Sequence, residues 1–162
     1  MNYHKPTGIR LIYAICLFAS LSLKAQDSKS NAPLREPDYN KPKIFNSLPA
    51  SMEVSDLDLQ SLVAPGTQKS QNISLPLAGG KLSPFTGKVA YAFSNNQMRT
   101  VTIQSTSFNG AILTLSSVPR SDGTVRYTGR IFSYQHGDAF ELQQKGDHYY
   151  WIKKNLYEMM AE

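Results

Sequence analysis

From Thr86 to Lys154 apolar and polar side chains alternate in short runs rich in Val, Ile, Tyr, Phe and Thr, cut at Asn95-Asn96, Asn109-Gly110, Asp122-Gly123 and Lys145-Gly146. Period-two alternation marks half-buried strands, and such turn pairs at hairpin spacing join them, so the stretch predicts an antiparallel β-meander. Val89, Tyr91 and Phe93 share one face of the first strand, and Val101, Ile103, Leu113 and Leu115 are expected to point inward from the next ones. Asn109-Gly110 is expected to take the positive φ angles of a tight hairpin turn. The run from Thr124 to Tyr134 is long for one strand. It is expected to bend at Gly129 and join two pairings, as at the corner of a small barrel, with Val125, Tyr127 and Ile131 on one face. Gly137 to Gln143 and His148 to Lys154 form the last hairpin around Lys145-Gly146.

Outside the meander the pattern changes. Gln71 to Leu77 reads as an edge strand, because Pro76 has no amide to give to a central ladder. Ala78-Gly79-Gly80 reads as a corner; Lys81-Leu82-Ser83-Pro84 opens no helix after it, which removes a phosphate cradle. Met52 to Leu62 fits two readings: Leu57 and Leu59 alternate with acids as in a strand, whereas Asp56, Leu59 and Leu62 suit a helical turn. At the C-terminus Asn155 is placed to cap a short helix with Glu158 reaching back, ahead of Leu156, Met159 and Met160. That helix would plug an open barrel end; the same residues also permit one more strand through Leu156-Tyr157. The fold class is therefore all-β, a small antiparallel meander or OB-like barrel with a short C-terminal helix.

The first residues carry an address. Met1 to Ala25 has a basic start (Lys5, Arg10), an apolar run Leu11 to Ala19 and a small residue at its end, the pattern of a secretory signal peptide too short to span a bilayer. Gln26 to Ser51 is punctuated by Pro33, Pro37, Pro42 and Pro49 among polar residues, which predicts a disordered or extended tether. The alternative for that segment is a partner-binding arm anchored by Tyr39, Ile44 and Phe45. The expected division is thus 1–25 signal, 26–51 tether and 52–162 barrel domain.

Charge and cysteine content narrow the function classes. The 162-residue chain is formally +5, but Lys5, Arg10 and Lys24 belong to the leader, so the mature product is only weakly basic. That leaves no electrostatic footprint for nucleic acid. Cys16, the single cysteine, follows Ile15 inside the apolar run, which suits neither a lipid anchor nor a disulfide. The product is expected to be exported, periplasmic or extracellular, not lipid-anchored and without a transmembrane segment once the signal is removed.

Catalytic and metal-binding constellations are not evident. His136 and His148 each lie beside an acid, but with a turn at Lys145-Gly146 His148 falls opposite Leu142 or Gln143 and His136 lies about 20 Å further along, too far to share a zinc ion. No Gly-x-Ser-x-Gly elbow is present. Asp56 and Asp58 lack the further oxygen donors of a calcium loop. Asp122, Asp138, Glu141 and Asp147 are expected in turns or on outward strand positions. No catalytic residue, cofactor or metal is therefore expected.

Candidate contact residues remain. Tyr149-Tyr150-Trp151 puts consecutive rings on opposite faces of one strand. If Tyr150 and Ile152 point inward, Tyr149 and Trp151 point outward, either as an aromatic platform for a sugar ring or a protein partner or covered by the tether or the terminal helix. Val118, Pro119 and Arg120 lie in the loop Ser116 to Gly123, where a proline-stiffened exposed segment suits insertion into another protein's groove. Arg126, Arg130, Lys153 and Lys154 form a further candidate, a basic stripe or a solvated face.

The run Tyr127-Thr128-Gly129-Arg130-Ile131-Phe132-Ser133-Tyr134-Gln135-His136-Gly137-Asp138-Ala139-Phe140-Glu141-Leu142, with Gly146-Asp147-His148-Tyr149-Tyr150-Trp151-Ile152-Lys153-Lys154, resembles the C-terminal half of small exported bacterial proteins encoded near secreted proteases. In size, signal and β content the chain is similar to the potempin type of protease inhibitor. The resemblance implies an OB-like small barrel that blocks a metallo- or serine protease through its loops. The expected function is an exported, non-enzymatic module that binds a secreted protease or another envelope protein. The alternative is a cell-envelope polysaccharide-binding or structural β module resting on Tyr149 and Trp151.

Overall fold

The computed structural model describes residues 38–160. The expected signal peptide and the first part of the expected tether lie outside the described residues. Eight strands form one antiparallel sheet, β1 (Ser51–Val54), β2 (Asn72–Leu77), β3 (Leu82–Ser94), β4 (Arg99–Ser105), β5 (Ile112–Pro119), β6 (Val125–Phe132), β7 (Asp138–Lys145) and β8 (His148–Asn155). Their order is β1-β8-β7-β6-β5-β4-β3-β2. Strands β2 to β8 run as an up-and-down meander, so the meander is the form adopted, and β1 pairs with β8 at the far edge. The sheet curls into a half-barrel: Met52 and Val54 of β1 and Leu75 and Leu77 of β2 belong to one core although no ladder joins those strands.

Alternation sets most of the core. Val101, Ile103, Leu113, Leu115, Tyr127 and Ile131 are buried on the concave face as the pattern predicts. Strand β2 is at the edge, and its register shifts at Pro76, between Leu75 and Leu77. Strand β3 departs from expectation. Its pairing with β4 shifts between Val89 and Tyr91, and an extra residue in one strand reverses the faces of everything beyond it. Val89 is buried, but Tyr91 and Phe93 turn outward, 54% and 40% exposed.

In the stretch Met52 to Leu62 the helical turn of Asp56, Leu59 and Leu62 forms, whereas Leu57 and Leu59 do not form a strand; the strand lies before them. Met52 and Val54 lie in β1, and helix α1 (Asp56–Leu62) follows, with Ser55 as its cap. The Ser55 hydroxyl accepts from the Asp58 amide at 3.1 Å and donates to the Asp58 carboxylate at 2.7 Å. Leu59 and Leu62 are buried by α1 at the end of the half-barrel where the β3–β4, β5–β6 and β7–β8 turns lie. Helix α2 (Leu156–Met160), capped by Asn155 through the Tyr157 amide at 3.1 Å, does not plug a barrel end. Its Leu156 and Met159 cover Ala139 and Phe132 in a small separate cluster.

The tether reading is corrected for residues 38–50. Phe45 and Leu48 are buried in the main core, and Phe45 packs edge-on to Phe108 and Phe140 at 5.3 and 5.4 Å. Asp138 accepts from the Ile44 and Phe45 amides, each at 2.8 Å, and the Lys153 ammonium donates to the Phe45 and Leu48 carbonyls. Tyr39 packs at a tilt against the Tyr157 ring, centroids 4.9 Å apart. The apolar residues Tyr39, Ile44 and Phe45 are anchors, but onto the chain's own sheet and helix.

Gly129 is needed for close packing. A Cβ there would lie 3.0 Å from the Thr114 carbonyl oxygen and 3.0 Å from the Trp151 ring. Gly129→Ala is therefore expected to lower stability by about 1–3 kcal/mol through overpacking. Urea denaturation checks this, and an unchanged midpoint would show that the sheet adjusts freely there.

Candidate functional site

The turns at the α1 end are built locally and rigidly. In the β3–β4 turn the Asn95 side-chain Oδ1 accepts from the Gln97 and Met98 amides at 2.9 and 2.7 Å. In the β5–β6 turn the Arg120 amide donates to Thr124 and the Gly123 amide to Arg120, with Gly123 at a φ of 83°. The Asp122 carboxylate accepts from the Thr124 hydroxyl at 2.6 Å and its amide at 2.9 Å. Those bonds, with Arg120 nearby, hold the Asp122 carboxyl below the usual carboxylate range.

The β5–β6 connection is shorter than the expected loop. Strand β5 continues through Val118 and Pro119, which pair with Arg126 and Val125, so Val118 and Pro119 are strand residues at a hairpin end and only Arg120 enters the turn. Their exposure is nevertheless real: Val118 and Val125 are 41% and 42% exposed, and Pro119 and Arg120 are also exposed. Beside them α1 presents Leu57, 76% exposed, and the β3–β4 turn presents Met98. Leu57, Met98, Pro119, Val125 and Tyr127 line a groove of about 820 Å³. Burial, then Asp56 and Tyr149, push the Tyr127 phenol above its ordinary pKa, so at neutral pH it is an uncharged hydroxyl.

Tyr149 and Trp151 are not a surface platform. Both are buried, and Tyr150 and Ile152 take the opposite face of β8. The inversion follows from pairing on both sides of β8: Trp151 stands opposite Met52 of β1 and Leu142 of β7, and Tyr149 opposite Val54, all buried on the concave face. The Tyr149 hydroxyl accepts from the Tyr127 amide at 3.2 Å.

The titratable groups are dispersed. The β7–β8 turn centres on Gly146-Asp147, so His148 stands opposite Lys145, two to three residues from its expected partner. His148 meets Glu53 at 3.0 Å, whereas His136 meets the Ser133 hydroxyl at 2.9 Å beyond the other end of β7. Asp138 is buried in the clasp on Ile44 and Phe45 and is not an outward acid. Glu141 accepts from Gln143 at 2.8 Å. Lys153 is committed to backbone carbonyls, so the basic residues do not form the single stripe considered above. Among the described residues no set of His, Cys, Asp or Glu is grouped to hold a metal ion, and no helix is long and apolar enough to cross a membrane.

Leu57, Met98 and Val125 were not among the contact residues expected from the sequence. The signal for Leu57 was present in Ser55-x-x-Asp58, a capping pattern that makes the segment helical and turns Leu57 away from Leu59 and Leu62. Compared with known proteins, the chain matches no family model, no curated protein and no solved structure.

Proposed function

We propose that this chain is an exported, non-enzymatic module that binds another protein, acting as an inhibitor of a secreted protease. The observation that supports the reading is the convergence of exposed Leu57, Met98 and Val125 around one groove at the turn end of the half-barrel. Apolar side chains held on a capped helix and at hydrogen-bonded hairpin ends lose little freedom on docking, which favours tight insertion into a partner's cleft. Pro119 lines the same groove, and Arg120 follows it into the turn. The polysaccharide reading loses the rings on which it rested, since Tyr149 and Trp151 are core residues.

The test is an inhibition assay of the purified protein against metallo- and serine proteases secreted by the same source. Stoichiometric inhibition of at least one at micromolar or lower concentration is expected. Absence of inhibition across the panel would contradict the inhibitor reading.

A further inference from the structure

Strands β6 and β7 pair only at Arg130, Ile131 and Phe132 against Glu141, Phe140 and Ala139. Beyond that point β6 stays paired with β5 as far as Val125, and β7 stays paired with β8 as far as Lys145. The edge of β6 from Val125 to Gly129 and the edge of β7 from Leu142 to Lys145 therefore face each other without a ladder between them. The Tyr127 amide, which points into this split, is met by the Tyr149 hydroxyl. Backbone groups alternate in direction along a strand, so Val125 and Gly129 present their edges the same way.

The split forms a cavity of about 910 Å³ whose lining includes Arg120, Arg126, Thr128, Arg130, Glu141 and Gln143. None of the three arginines is in an ion pair among the described residues. The single carboxylate of the lining, Glu141, is already hydrogen-bonded to Gln143. Where the split opens toward the turns it passes Asp56, Asp122 and Asp147, so the excess of positive charge is concentrated at Arg126 and Arg130. Two open strand edges call for an extended main chain, and unpaired guanidinium groups call for carboxylates.

We propose that the β6–β7 split takes an extended acidic segment of a partner protein, its main chain bonding a free strand edge and its carboxylates meeting Arg126 and Arg130. The site adjoins the apolar groove, Tyr127 lining both, but uses different groups and stands whether or not the protein inhibits a protease. The probe is a fluorescently labelled synthetic peptide alternating Glu and Thr, titrated by anisotropy into the purified protein. Saturable binding is expected, weakened about tenfold or more in the Arg126→Ala/Arg130→Ala variant, whose circular dichroism should match the parent. A peptide of the same charge with alternate amides N-methylated is expected to lose binding to a similar extent. No saturable binding would overturn the proposal. So would equal binding of the N-methylated peptide, or of dextran sulfate with the same dependence on the arginines, since either means a site for anions at large.

Discussion

Asp138→Ala is expected to destabilise the protein by about 3–5 kcal/mol, because each hydrogen bond to a charged acceptor contributes about 1.5–3 kcal/mol and this side chain accepts from both Ile44 and Phe45. Asp138 is only 3% exposed, and the Phe45 amide is buried with it, so truncation leaves donors that water reaches poorly. The loss propagates, since the same segment seats Phe45 between Phe108 and Phe140. Asp138→Asn, which keeps one acceptor oxygen, should fall between the parent and alanine. Urea denaturation gives the magnitude, and limited proteolysis should show faster cleavage at Lys41 or Lys43 in the alanine variant. A loss below about 1 kcal/mol would mean that residues 38–50 are held by other contacts.

Trp151→Ala is expected to cost a further about 3–5 kcal/mol, the range for truncating a large ring in a packed core. Trp151 is 1% exposed, against Met52 and Leu142 across its two ladders and against Gly129 of β6. Trp151→Phe is a sharper comparison. The indole Nε1 is buried without a hydrogen-bond partner, and an unmet buried donor costs about 1–3 kcal/mol, so its removal offsets part of the lost volume. The phenylalanine variant should therefore lie within about 1 kcal/mol of the parent. If Trp151→Ala left stability unchanged, the ring would not be a core element.

The strands of the meander were legible because period-two alternation in β4 and β5 has one parity that buries Val101, Ile103, Leu113 and Leu115. Strand β8 offered no such choice, since Tyr150 and Ile152 are as apolar as Tyr149 and Trp151. The parity is decided by long-range partners, above all β1, which is four residues long and is followed directly by a helix cap. The bulge after Val89 was hidden for a similar reason: no Gly marks it, and the alternating run Val89, Tyr91, Phe93 looks regular. Burial of Phe45 was masked by the prolines and charges around it, whereas the anchoring carboxylate lies far along the chain at Asp138. The docking surface was half legible. Pro119 stood out within the proline-stiffened segment Val118 to Arg120, but Leu57 and Met98 reach its groove only through the curl of the sheet.

The measurement that bears most directly on binding through the apolar groove is the inhibition constant of a Leu57→Asp/Val125→Asp variant, compared with the parent against a protease that the parent inhibits. Both side chains are exposed, one on α1 and one at the hairpin end, so the thermal midpoint should hardly change. Inhibition is predicted to weaken about a hundredfold or more, as expected when charges are set into an apolar contact. Unchanged inhibition by a folded variant would contradict the assignment of the binding surface to this end of the half-barrel.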